Sequence, residues 1–127
     1  MAWVADDPHA HLGTVVGNGH CLRHVQIVAG VAHSSTLRRG AKVRGADIPR
    51  GTVIGTFNKT GRYANATDGS SHVAIYLDQT STGLRVVDQW VLHPCAERVI
   101  RFKGGLRPAC DDGDAYFVVE GIETIGN

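Results

Sequence analysis

Residues 72–90 constrain the fold more than any other stretch of this chain. His72-Val73-Ala74-Ile75-Tyr76-Leu77-Asp78 and Leu84-Arg85-Val86-Val87-Asp88-Gln89-Trp90 are rich in β-branched and aromatic residues, and the five residues between them, Gln79-Thr80-Ser81-Thr82-Gly83, are turn formers. The pair reads as an antiparallel hairpin. Side chains alternate between the two faces of a strand, so His72, Ala74 and Tyr76 share one face, and Val86, Asp88 and Trp90 share one face of the next. If the numbers of facing residues add to an even total, His72 and Asp88 lie on one face, opposite or diagonal to each other. An odd total would bring Gln89 round instead. The even register is expected, because it also gathers Val73, Ile75, Leu77 and Val87 on the opposite, apolar face.

Further strands are expected at Thr52-Val53-Ile54-Gly55-Thr56-Phe57, where Gly55 marks a bulge or a close backbone approach, and at 98–102 and 115–120. One helix is expected early. From Cys21, the residues Val25, Val28, Ala29 and Ala32 follow the spacing of a single helix face. One helix with an antiparallel sheet makes the class α+β, and 127 residues suit one domain, 1–127. Residues 1–16 read as an extended arm or a short helical turn. Ser34 to Gly45 is polar and basic without a sustained period, and reads as a surface loop whose Arg38, Arg39, Lys42 and Arg44 could meet an anionic group. Asn58 to Ser71, containing Tyr63, is a long polar loop of the kind that is either functional or mobile.

Composition excludes several partners. A formal charge of +1 with no Lys/Arg run gives no footprint for nucleic acid or an anionic membrane surface. No apolar run approaches the length of a membrane span, so no membrane insertion is expected, and the N-terminus lacks the basic and apolar regions of a signal peptide.

Chemistry concentrates at Gly17-Asn18-Gly19-His20-Cys21. Asn18 is read as the helix N-cap, with Gly17 and Gly19 permitting the tight entry. The first turn of a helix carries unpaired N–H groups and the positive end of the dipole, so it favours a thiolate at Cys21. Taken alone, Cys21 reads equally well as a small buried hydrophobe. His20 and His24 have the i, i+4 spacing of a zinc pair, but the Glu of an H-E-x-x-H motif is absent, and solvated histidines are the simpler reading; no metal or cofactor is expected.

Gly-Asn-Gly-His-Cys21 opening a helix, Gly51-Thr52-Val53-Ile54-Gly55-Thr56-Phe57, the Gly61-Arg62-Tyr63 loop, Ser71-His72-Val73-Ala74-Ile75-Tyr76 and Val87-Asp88-Gln89-Trp90 together resemble the papain-like CHAP and NlpC-type amidase superfamily. More closely, they resemble a small bacterial family of secreted and effector-like members. The resemblance implies a Cys-bearing N-terminal helix packed on an antiparallel sheet, and hydrolysis of amide bonds in peptidoglycan peptides. It implies Cys21 as nucleophile, His72 as base and Asp88 as orienting residue, with Asn18, Gly19, Tyr63, Gln89 and Trp90 around the substrate. It also implies a secreted or periplasmic life, export by a specialised route in place of a signal peptide, and an inhibitory immunity protein as a partner. In many relatives a Gln precedes the Cys, where this chain has His20.

Two other readings use the same residues. A binding or inhibitor module can keep the scaffold without catalysis, and a Cys-His acyltransferase or thioesterase would act on a different carbonyl. The remaining cysteines, Cys95 and Cys110, flank the 98–102 segment and are expected to form a disulfide, since closing a loop of about 15 residues stabilises by roughly 3 kcal/mol. The alternative is a zinc site with His93, for which no fourth ligand stands out.

Overall fold

The computed structural model describes residues 1–122. Its centre is the expected hairpin, β3 (Val73–Gln79) and β4 (Gly83–Trp90), extended on one side by β5 (His93–Arg101) and on the other by β2 (Val53–Gly55), β6 (Phe117–Gly121) and β1 (Leu37–Lys42). The order across the sheet is β1-β6-β2-β3-β4-β5, and every pairing is antiparallel. One α-helix, α1 (Cys21–Ala29), packs across β3 and β4, which makes the fold α+β.

The helix stops three residues earlier than its apolar pattern. Gly30 takes the left-handed conformation at φ 75° and its N–H bonds back to Gln26, a C-terminal stop that glycine provides cheaply. At the start, the N-cap is His20, in extended backbone, and not Asn18. Asn18 lies two residues further out, where its Oδ1 accepts the His20 N–H at 3.1 Å and turns the chain toward the helix. Gly17 is required there: its φ is +57° and an added Cβ would lie 2.5 Å from Arg23 Cγ.

Both faces of the sheet are buried. Val73, Ile75, Leu77 and Val87 pack with Val25 beneath α1, while Ala74, Tyr76 and Val86 join Ile54, Leu84, Ile100 and Tyr116 in a second cluster. The strand faces therefore divide as alternation requires, although both sides are apolar and the polar/apolar rhythm is lost. The register is even at the site end, where Ile75 faces Val87 and Tyr76 faces Val86. It turns odd toward the hairpin loop, where Asp78 faces Arg85 and Gln79 faces Leu84, across an irregularity between Tyr76 and Asp78.

Ser34 to Gly45 departs from the surface loop expected of it. A single 3-10 turn at Ser34–Thr36 leads into β1, an edge strand in which Leu37 alone is fully buried and Arg38, Arg39 and Lys42 line a margin open to solvent. Charged residues on an edge blunt pairing with other chains, and they also erase the apolar alternation that marks interior strands. β5 begins five residues before the expected 98–102 segment, and 113–115 form a 3-10 turn ahead of β6.

The expected Cys95–Cys110 disulfide is not formed; all three cysteines are free thiols. Cys95 points from β5 into the core under α1, with Sγ 3.5 Å from His24 Nε2, whereas Cys110 sits in the 3-10 turn Ala109–Asp111. Flanking a strand in sequence did not bring the two to the same face. His93, the third group of the zinc alternative, stacks on Trp90 at 3.8 Å between ring centroids.

Candidate active site

Three elements converge on one pocket. α1 supplies Cys21 from its first position, the residue leading into β3 is His72, and β4 supplies Asp88. Continuing the even register puts Trp90 across from His72 and Asp88 on the diagonal, and the His72 Nε2 to Asp88 Oδ2 distance is 2.7 Å. His72 is also the group that interacts most favourably with the Cys21 sulfur, and since Nε2 is committed to Asp88, Nδ1 is the ring nitrogen left for it. Gln89 points away from His72, as the even register requires.

The backbone around His72 is fixed by Gly55 and Thr56. A Cβ on Gly55 would stand 3.0 Å from the His72 carbonyl oxygen and 2.9 Å from Val73 Cγ1, so this is the close approach the glycine signals. Thr56 then accepts the His72 N–H on its hydroxyl at 3.0 Å, donates that hydroxyl to the Ser70 carbonyl at 2.8 Å, and gives its own N–H to the His72 carbonyl at 3.0 Å. Nothing in the sequence singled out Thr56, because it looks like any other residue of a β-branched run.

Cys21 is held from the other side. Gln89 is fully buried, accepts the Val16 N–H at 2.9 Å, and donates to the Val16 and His20 carbonyls at 2.8 and 3.1 Å. It thus ties the loop before Cys21 to β4. The residues grouped around the substrate therefore separate. Tyr63 and Trp90 line the pocket, whereas Gln89, Asn18 and Gly19 support the loop behind it.

The pocket has a volume of about 440 Å³ and is lined by His20, Cys21, Tyr63, His72 and Trp90 together with residues of the 65–71 loop, Arg98, Cys110 and Asp111. Tyr63 is 5% exposed and its hydroxyl lies 3.7 Å from Cys21 Sγ. Arg98, from the middle of β5, donates Nε to Asp88 Oδ2 at 2.8 Å. Arg98, Cys110 and Asp111 were missed because two belong to a 3-10 turn and the third looked like an ordinary strand arginine.

The electrostatics match the geometry. Burial alone would push the Cys21 thiol up, but the hydrogen bond and charge of His72 outweigh it and hold the thiol below its ordinary value. Burial would lower His72, yet its bonds to Asp88 and Cys21 raise it to about 9. Burial would likewise raise Asp88, and the partners His72 and Arg98 hold it down as a carboxylate. Burial, and then the neighbouring Cys21, pushes the Tyr63 phenol well up, so it keeps its proton. These shifts all run toward a thiolate, an imidazolium and a carboxylate in a row, with a neutral phenol beside the sulfur.

His20 and His24, spaced for a shared metal, diverge: His20 lines the pocket and His24 is fully buried against Cys95. Among the described residues no helix is long and apolar enough to cross a membrane.

The chain is 36% identical over 119 residues to a type VI secretion amidase effector 2 protein from Salmonella typhi, covering 83% of this chain and 88% of that one. A solved structure of a type 6 secretion amidase effector 2 (Tae2) superposes with a TM-score of 0.83 at 33% identity, covering 98% of both chains. The family profile described as domesticated amidase effector 2 matches residues 2–119, and the chain belongs to that family.

Proposed function

We propose that this chain is a cysteine amidase of papain-like, NlpC-type architecture that hydrolyses amide bonds in peptidoglycan peptides. The observation that carries the reading is His72 bonded at 2.7 Å to the buried Asp88 carboxylate while it lines the same pocket as Cys21, whose thiol it lowers. A thiol, an imidazole and an orienting carboxylate in that order are the parts of nucleophilic acyl transfer.

The Cys21 thiolate attacks the scissile carbonyl carbon, and the negative charge moves to the carbonyl oxygen. Donors for that oxygen are at hand. His24 is the first residue of α1 whose N–H bonds back, to His20 O, which leaves the Cys21 N–H free at the helix start, and the neutral Tyr63 hydroxyl stands beside the sulfur. As the tetrahedral adduct collapses, the C–N bond breaks and the imidazolium passes its proton to the leaving amine. Water, deprotonated by the now neutral imidazole, then cleaves the thioester and restores the thiolate. Asp88 holds the ring so that Nδ1 faces the sulfur throughout.

The relatives' names describe type VI secretion amidase effectors, which supports reading this chain as a secreted effector as well. On this proposal it acts on the wall in the periplasm, with an inhibitory immunity protein as its counterpart. With the disulfide gone, placement outside the cytosol rests on those relatives and not on cysteine chemistry.

Incubating the purified protein with cell-wall sacculi and identifying released muropeptides by mass spectrometry tests the reading. Cleavage at a single type of amide bond, abolished in Cys21→Ala and His72→Ala proteins that melt like the parent, is the expected result. Intact muropeptides after incubation with the unaltered protein would refute it.

A further inference from the structure

We propose that Arg98 is a positioning residue for this reaction, holding Asp88 ionised and aligned at the stage when His72 has given its proton away. The proposal rests on the Cys21–His72–Asp88 reading. Its first observation is an imbalance at Asp88. The carboxylate is fully buried, its Oδ1 has no hydrogen-bond partner, and Oδ2 alone accepts both His72 Nε2 at 2.7 Å and Arg98 Nε at 2.8 Å. A buried anion with one bare oxygen is costly unless a cation stays beside it.

The second observation is how Arg98 reaches that oxygen. On β5 the residue facing Asp88 is Ala96, and Arg98 faces Val86, so the arginine crosses diagonally over a small neighbour. Its guanidinium lies over Trp90, 4.9 Å from the ring centroid, and Trp90 stands edge-on to His72 at 6.1 Å. The guanidinium is thus fixed by a ring on one side and a carboxylate on the other. The other groups facing the pair are Cys21 and His24 from α1, Cys95 from β5, Tyr116 and Asp111. Burial keeps His24, Cys95 and Tyr116 neutral, and Asp111 lies on the far side of Arg98, 3.7 Å from Nη1. Arg98 is the one permanent cation among them.

The reaction cycle makes that permanence matter. While His72 is an imidazolium, Asp88 has two cationic partners. Once the proton has gone to the leaving amine, only Arg98 remains. Without it, the buried carboxylate would hold the proton on the imidazole more tightly, and the ring would be a weaker acid at the step that needs one.

The test separates this role from simple structural support. In the Cys21→Ala protein, which has neither thiolate nor turnover, the His72 ring is titrated by NMR through its Cε1–H signal. Adding Arg98→Gln should raise the midpoint by about one pH unit or more, given Coulomb energies of several kcal/mol between charges a few ångströms apart at reduced dielectric. Arg98→Lys, which keeps the charge, should return it close to the parent value. Arg98→Met, which keeps a stem to pack on Trp90, replaces the glutamine variant if that one fails to fold. With Cys21 present, Arg98→Gln should lower kcat tenfold or more while KM stays within about twofold, and lysine should restore part of kcat. Equal His72 midpoints in the parent and the uncharged variants overturn the proposal, whatever happens to stability. Failure of the parent to hydrolyse muropeptides would sink the amidase reading instead, and the titration would still decide the role of Arg98.

Discussion

Cys21 and His72 meet at the pocket, whereas Cys95 and His24 meet 3.5 Å apart in the core under α1, and the same two residue types behave in opposite ways. Asp88 acts on His24 only through space and is bonded to His72 and Arg98, so burial dominates: it pushes the Cys95 thiol up to about 11 and the imidazole down to about 4, giving an inert, neutral pair. At Cys21, His72 backed by Asp88 overcomes the same penalty. Two pH dependences follow. Since His72 must be an imidazolium to protonate the leaving amine, hydrolysis should fall as pH rises through about 9, and on the acid side it should fall as the Cys21 thiolate takes up a proton; turnover followed across that range checks both limbs. His24 acts on stability. Unfolding frees it to take a proton below its ordinary 6.5, while the folded protein resists until about 4, so stability should drop as pH falls between those values, by about 1.4 kcal/mol per unit of displacement. Urea melts of His24→Leu should lack this component; an unchanged pH slope would contradict it. Asp88→Asn should cut turnover strongly, yet less completely than Cys21→Ala, because the ring loses its orientation but the nucleophile remains.

At the scale of elements, the proposed catalytic groups stand on or beside secondary structure that is pinned by buried amides and hydroxyls. Thr56 clamps both backbone groups of His72, and Gln89 makes three bonds to the loop leading into α1. Replacing either with an apolar residue of similar size strands buried polar groups, each worth about 1–3 kcal/mol. We therefore expect Thr56→Val and Gln89→Leu to lose that order of stability in urea melts. Gln89→Leu should also slow alkylation of Cys21, since the loop that presents it is released, and a wild-type alkylation rate would show that the clamp serves folding alone. The hairpin, its register at the site end and the helix opening at Cys21 were legible because β-branched runs and helix-face spacing report directly on local backbone, whereas the odd register toward the hairpin loop was not. Arg38 to Lys42 was not, because an edge strand has only one buried side chain to announce it. Arg98 and Asp111 were hidden for another reason: their importance depends on which strand lies beside β4, and β5 enters the site by the register of a long-range pairing.

Across the whole molecule, the sheet joins its earliest strand to its latest, β1 to β6, with the N-terminal residues bridged to Glu120 and Thr52 as well. Periodicity along the sequence contains nothing about that order. It also explains the failed disulfide, since Cys95 and Cys110 are assigned to opposite environments by where their elements land. The three thiols should differ accordingly. Cys21 should be alkylated quickly near neutral pH and Cys110 slowly, while Cys95, buried and raised, should react only after denaturation. Intact mass of an air-oxidised sample should be the same with and without reductant, and a two-proton difference would reinstate the bridge.

The irregularity between Tyr76 and Asp78 divides the hairpin into two lengths with independent phase. Beyond it lie the turn residues; before it lie Asp88 and Gln89, neighbours on β4 that face opposite ways, one gripping the base and the other gripping the approach to the nucleophile. Lineages could therefore lengthen or shorten the hairpin tip by a residue and let the bulge absorb the change. A single insertion between Val87 and Trp90 would exchange the duties of two adjacent side chains and dismantle both halves of the machinery at once.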